Sequence, residues 1–332
     1  MQVLLLSAAE MAEIVTMKDI IQADKDALSI YSAGGADIPL RANLNVAKHN
    51  GQSLYMPGYA ADAEALGIKI VSVYPNNPDK GKTAVPATMV LLDSSTGEVC
   101  ALLDGTYLTR MRTGAVAGAA TDLLARQDSK VFALFGTGGQ AEGQLEAVLC
   151  VRPIEQVFVF DIDHQRAQEF AKAMQAKFGE KYNVQISASE DADKMVEQAD
   201  VITAVTTSKQ PVFNASKLKA GAHINGVGSY TPEMQEILAE VLEKASKIYL
   251  DTRDGVLHES GDFITPIKAG KFSVEKVTGE LGEAINGEKP LRENDTEITF
   301  FKSTGSAVLD IVVAKHIYDL AVAQKKGQEI TL

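Results

Sequence analysis

Val131-Phe132-Ala133-Leu134-Phe135-Gly136-Thr137-Gly138-Gly139-Gln140-Ala141 is the stretch that decides how this chain folds. Five apolar residues run straight into a glycine-rich loop, and Gln140–Leu149 continues as a helical stretch. Strand, loop and helix in that order turn the unpaired N–H groups of a helix N-terminus towards a pyrophosphate. Gly136 allows the tight turn, Gly138 lets the backbone approach a phosphate beside Gly139 and Gln140, and Ala141 is small enough for close packing of helix on strand. The next apolar run, Val157–Phe160, ends in Asp161. An acid there can accept both ribose hydroxyls and repels a 2′-phosphate, so NAD is the expected cofactor, with NADP less favoured.

Downstream of the loop, apolar runs alternate with helical segments: Val184–Ser187, Val201–Val205, His223–Val227 and Ile248–Asp251. Such runs imply a parallel sheet covered on both faces. Upstream the texture differs. Ser53–Met56, Ile68–Tyr74, Ala87–Asp93 and Val99–Leu103 are short runs separated by turn clusters such as Pro75-Asn76-Asn77-Pro78, which predicts a meandering, largely antiparallel sheet. A strand Val3–Leu6, a helix capped by Ser7 and Glu10, and a second helix over Ile20–Ala33 precede it. Thr106–Leu124 reads as a helix of small residues, and Ala307–Ala323 as a strongly amphipathic one. The fold class is therefore α/β. A doubly wound Rossmann domain is expected over 126–305. An α+β N-terminal domain takes 1–125 with 306–332, the C-terminal helix returning to it.

The 332 residues suffice for two domains, and 45% hydrophobic with 23% charged residues is the balance of a globular protein. A net charge of −12 argues against a nucleic-acid surface, because no cationic excess is available to offset phosphate. Cys100 and Cys150 fit no metal or redox spacing, no run approaches the ~18 apolar residues of a membrane span, and Met1–Leu6 lacks the basic flank of a signal peptide. A cytoplasmic protein with a small-molecule partner, and neither nucleic acid nor membrane, is expected. The histidines carry no metal-ligand spacing, and His223, at the start of an apolar run, reads as a hydrogen-bonded structural residue.

Arg41, Lys69 and Arg112 lie in or beside structured segments ahead of the glycine loop. Lys69 interrupts a strand, and Arg112 opens the run Arg-Thr-Gly-Ala-Val-Ala-Gly-Ala-Ala, where a neighbour or ligand can approach closely. Arginine suits bidentate binding of a carboxylate. From spacing alone, snorkelling or salt-bridged roles compete with this reading.

Together these stretches resemble the ornithine cyclodeaminase/μ-crystallin family. The matching segments are Pro39-Leu40-Arg41, Met56-Pro57-Gly58-Tyr59, Gly67-Ile68-Lys69, Arg112-Thr113, the glycine loop ending Gln140-Ala141, Gly221-Ala222-His223-Ile224-Asn225-Gly226-Val227-Gly228, Glu259-Ser260-Gly261-Asp262 and Phe301-Lys302-Ser303 with Gly305. They follow the family's order over nearly the whole chain. The resemblance implies that Arg41, Lys69 and Arg112 hold a substrate carboxylate, with Lys69 also near the reacting carbon–nitrogen bond. It implies that Thr113, Thr206, Asn225, Val227, Ser303 and Gly305 line the cofactor, that Tyr230 and Thr304 face substrate, and that the protein is a homodimer through its first domain.

One departure separates the branches of that family. Cyclodeaminases carry an acid three positions after the valine of the Gly221–Gly228 run and a lysine four positions later, where this chain has Tyr230 and Met234. Neither replaces a carboxylate or an ammonium group at neutral pH. Glu233 is close in sequence, but its side chain would point elsewhere. The departure favours an NAD(P)H-dependent imine reductase or amino-acid dehydrogenase acting on a small 2-imino or 2-amino acid. Candidate substrate pairs are Δ1-pyrroline-2-carboxylate with proline, or pyruvate plus ammonia with alanine. An ornithine cyclodeaminase with bound NAD and a non-catalytic, crystallin-like binding protein are the competing readings.

Overall fold

Each of the two units into which the chain divides is built on an eight-stranded sheet. The structure, a computed structural model, describes residues 1–332. The first unit comprises Met1–Arg112 and Ser306–Leu332, the second Thr113–Gly305. No helix is long and apolar enough to cross a membrane.

In the first unit the strands are β1 (Gln2–Leu6), β2 (Ala36–Asp37), β3 (Ala42–Val46), β4 (Gly51–Ala60), β5 (Ala65–Val73), β6 (Ala87–Leu92) and β7 (Val99–Asp104). A last strand, Gln328–Thr331, pairs with β1. β4 to β7 form an antiparallel meander, as the turn clusters predict, whereas β1 joins β7 in parallel. Thr16 and Asp19 form a second capping box, so the helix expected from Ile20 begins one turn earlier, at Met17, and runs to Ser32.

The C-terminal helix, Ala307–Gln324, packs against that helix and against β4 and β5. It is not the amphipathic helix that the sequence suggests. Every residue from Ala307 to Ala314 is buried, because this half is enclosed on all sides, and only the later turns expose a polar face. The burial includes a charged residue, Asp310.

The second unit's sheet is parallel throughout. Its strands are β8 (Val131–Phe135), β9 (Gln156–Phe160), β10 (Gln185–Ala188), β11 (Val201–Ala204), β12 (His223–Gly226), β13 (Lys247–Leu250), β14 (Gly279–Glu280) and β15 (Thr299–Lys302). The order is β10-β9-β8-β11-β12-β15-β13-β14. Chain order reverses beside β8, between β9 on one side and β11 on the other, which is where doubly wound sheets bind ligands. β15, inserted between β12 and β13, is a strand that the apolar runs do not announce. Separate apolar clusters, one including Leu145 and Phe178 and the other Ile237 and Phe263, make up the core of this unit.

The division between units falls inside the helix Gly105–Leu124 rather than at its end, near 125. Its second half is committed to the helix Ala141–Val151 that follows the glycine loop. A Cβ on Gly114 would lie 2.3 Å from the carbonyl oxygen of Gly143, an approach that only glycine permits.

Candidate functional site

In the second unit the glycine loop runs from the end of β8 to the helix Ala141–Val151. Gly136 has φ +100°, and a Cβ there would stand 2.8 Å from the Val205 carbonyl oxygen, so the fold itself requires glycine. Gly138 and Gly139 differ. A Cβ on either meets nothing within 4 Å, so the open space before them serves no internal packing. Gln140, at the helix N-cap, makes no side-chain cap, and its Oε1 is buried without a partner, as is the hydroxyl of Thr113. Open backbone at a helix N-terminus with unsatisfied polar atoms nearby fits a phosphate-bearing dinucleotide.

Asp161 follows β9 and returns to the loop. One of its oxygens accepts the Thr137 amide at 3.0 Å and hydroxyl at 2.6 Å, and the other accepts the Asp163 amide at 3.1 Å. Partial burial opposes its charge, but these hydrogen bonds and Arg166 outweigh it and hold the pKa below the ordinary carboxylate value. An ionised acid thus stands beside the loop.

Buried acids that sequence reading passes over hold the remaining loops. Glu236 accepts the Thr206 amide with one oxygen and the Ser229 amide, at 2.9 Å, with the other. Asp262 accepts the amides of Glu236 and Ile237 at 2.7 and 3.0 Å and pairs with Lys302 at 2.8 Å. Burial pushes Glu236 up to about 7 against the pull of Lys302, with Asp262 adding to the rise. Asp251 gathers the last loop, accepting the Ser303 hydroxyl at 2.7 Å and the amides of Thr304 and Gly305 at 3.0 and 2.8 Å. The Thr304 hydroxyl is left buried and unpartnered.

Asn225 is spent internally. It accepts from or donates to His223 (3.0 Å), Thr121 (3.0 Å) and Thr203 (3.4 Å), while its backbone and that of Gly226 pair with β11 and β15 and the Val227 amide donates to Ala204. His223 also meets Thr299 at 2.9 Å. Burial, then the Arg292 charge, depresses its pKa to about 3, so it is neutral and structural. Tyr230 and Met234 are half-buried, and Glu233 is exposed.

In the first unit the three basic residues separate. Lys69, on β5, and Arg112 are buried, at 1% and 5% exposure, while Arg41 is half-buried ahead of β3. Asp310 of the C-terminal helix joins the buried two, its Oδ2 lying 2.7 Å from Lys69 Nζ and its Oδ1 2.8 Å from Arg112 Nε. Arg112 Nη1 is buried with no partner. Burial and the Arg112 charge push Lys69 down to about 7; Asp310 works against them and Arg41 with them. A carboxylate entering here would find one paired ammonium and a guanidinium edge still to be satisfied.

Asp310, Asp24, Glu236 and Asp251 give no signal in sequence beyond their identity, and Asp262, though part of the run Glu259-Ser260-Gly261-Asp262, is not marked there as a buried acceptor. A carboxyl in an otherwise apolar helical run, as in Val308-Leu309-Asp310-Ile311-Val312, is the one cue that could flag a buried acid.

Residues 1–325 match the model of the ornithine cyclodeaminase/mu-crystallin family. A Δ1-pyrroline-2-carboxylate reductase of Bacillus cereus is 42% identical over 327 residues, which cover 98% of this chain and 99% of the relative. The structure of Thermococcus litoralis Δ1-pyrroline-2-carboxylate reductase, solved in complex with NADH and L-proline, superposes with a TM-score of 0.93 at 40% identity, covering 98% of this chain and 100% of that one. An archaeal alanine dehydrogenase, a dimer with bound NAD, superposes with a TM-score of 0.90 at 35% identity over 100% of both chains.

Proposed function

The chain belongs to the ornithine cyclodeaminase/mu-crystallin family, and from that premise we propose that it is an NADH-dependent reductase of small 2-imino acids, with Δ1-pyrroline-2-carboxylate as substrate and proline as product. The observation that carries this is the buried set of Lys69 and Arg112 on one carboxylate, Asp310. Apolar interiors exclude such charges unless they serve as partners for one another or for a ligand. Here the unpartnered Arg112 Nη1 asks for an acceptor.

The residues then divide the work. Arg112 and Arg41 bind the substrate carboxylate. Lys69, titrating near neutrality, donates a proton to the imine nitrogen, where it stays in the product, and is reprotonated from solvent. Gly138, Gly139 and Gln140 hold the pyrophosphate and Asp161 the adenosine ribose. Thr113, Thr206, the Asn225–Val227 run and the Ser303–Gly305 loop line the rest of the cofactor. Bound NADH supplies the hydride that C2 of the imine takes up. Tyr230, where a cyclodeaminase has an acid, brings no carboxylate for removing ammonia, which supports the reductase reading over the lyase one.

The test follows NADH absorbance with Δ1-pyrroline-2-carboxylate, with pyruvate plus ammonia, and with ornithine plus NAD, assaying ammonia in the last. Oxidation of NADH by the cyclic imine and no ammonia from ornithine are expected. Ammonia and proline from ornithine without net change in NADH would establish the lyase reading instead.

The assembly inferred is a cytoplasmic homodimer formed through the first unit. Leu40 is 73% and Leu44 58% exposed, and Tyr59 is exposed as well. Exposed apolar side chains of this size on the first unit support a covering partner. The cysteines form no disulfide, in keeping with a reducing compartment. Light scattering in solution checks the dimer.

A further inference from the structure

Asp24 has no place in the scheme above, yet it is fully buried on the helix Met17–Ser32 and neither of its carboxyl oxygens has a hydrogen-bond partner. That helix packs against the C-terminal helix carrying Asp310. Two charged groups act on Asp24 from the elements around it. Arg112, on the helix Gly105–Leu124, favours its ionised form, and Asp310 opposes it. Lys69 enters through its pairing with Asp310, and Arg41 through its effect on Lys69.

The charges can be counted. With Lys69 and Arg112 cationic and Asp310 anionic, the buried set carries one positive charge in excess. A substrate carboxylate cancels it. An ionised Asp24 cancels it equally well, and two extra carboxylates together would leave the buried set net negative, with only the half-buried Arg41 to offset it.

We propose that Asp24 is a charge-setting residue of the carboxylate pocket: its carboxylate and that of the substrate compete for the Arg112 charge, and substrate binds preferentially to the form in which Asp24 is a neutral acid. Burial supplies the bias. It raises the Asp24 pKa well above the ordinary value, Arg112 pulling it down and Asp310 pushing it up. Carboxylate binding is then coupled to retention or uptake of one proton at Asp24. The inference rests on the reading of Lys69 and Arg112 as a carboxylate site.

The test measures the affinity of pyrrole-2-carboxylate, a planar cyclic carboxylate that cannot be reduced in this way, for the NAD-saturated protein from pH 6 to 10. Wild type is compared with Asp24→Asn, and with Asp24→Ser should the first variant fold poorly. Deprotonation of Lys69 weakens binding in all of them and largely cancels in the ratio. The affinities are expected to converge at the acid end and to diverge by tenfold or more at the alkaline end, the neutral variant binding tighter. Calorimetry in two buffers of different ionisation enthalpy should show more proton uptake on binding in the wild type than in the variant, where only Lys69 remains to take one up. A ratio flat across the whole range overturns the role of Asp24 while leaving the pocket intact. Failure of the carboxylate to bind at any pH removes the pocket reading and this inference with it.

Discussion

Asp310 holds Lys69 at 2.7 Å through one carboxylate oxygen, and its other oxygen lies 2.8 Å from Arg112. A single anion thus fixes two buried cations contributed by a strand and a helix far apart in sequence. Asp310→Asn keeps the shape and removes the charge, leaving Arg112 uncompensated, and Lys69 as well at acid pH where it keeps its proton. Breaking a buried pair in this way costs about 3–5 kcal/mol. Urea unfolding of the variant should show a loss of that order, and a change under about 1 kcal/mol, the upper end for exposed pairs, would mean the cluster is wet and weakly coupled.

Lys69 also sets a pH dependence. Burial, then Arg112, lowers its pKa to about 7, so the ammonium form disappears as pH rises through that value. In the role proposed for Lys69, reduction needs the ammonium as proton donor, so kcat/KM for the imine is expected to fall above about pH 7. Proline oxidation needs the free amine and should rise over the same interval. In Asp310→Asn the partner that favours the ammonium is lost, and the reductive limb should move to lower pH. Profiles of both directions with wild type and variant check the sign; limbs that do not move with Asp310 would detach Lys69 from proton transfer.

Most of the second unit is legible in the sequence because its strands are nearly continuous apolar runs bounded by turns, a signal that is local. Thr299–Lys302 escapes it. Only two apolar residues lie in that strand, and its centrality comes from insertion between β12 and β13. Arg41, Lys69 and Arg112 can be singled out as basic residues in structured segments, but their partner cannot. Asp310 and Asp24 sit on helices whose mutual packing is set only in three dimensions. Glu236 and Asp251 act on backbone amides, which sequence does not display.

Asp161 prompts a test of cofactor choice. Its carboxylate already accepts Thr137 and Asp163 and lies beside the loop as an ionised acid. Hydrogen bonds to a charged group contribute about 1.5–3 kcal/mol each. Asp161→Ala should therefore raise the KM for NADH by about tenfold or more and narrow the preference over NADPH, with kcat at saturating NADH little changed. A KM for NADH unaffected by the substitution would move ribose recognition elsewhere.

Gly136 and Gly138, two residues apart, make opposite demands. At Gly136 the positive φ and the Val205 carbonyl, 2.8 Å from where a Cβ would stand, mean that alanine strains the apo protein by about 1–3 kcal/mol. At Gly138 a Cβ touches no protein atom within 4 Å and φ is ordinary, so Gly138→Ala should change apo stability by less than about 0.5 kcal/mol. Yet that methyl group would occupy the space assigned to the pyrophosphate. NADH affinity, read by fluorescence titration, should fall at least tenfold in Gly138→Ala while the melting curve without cofactor overlays wild type. An unchanged affinity would mean that the pyrophosphate does not lie against this stretch of backbone, and the dinucleotide assignment of the loop would fall with it.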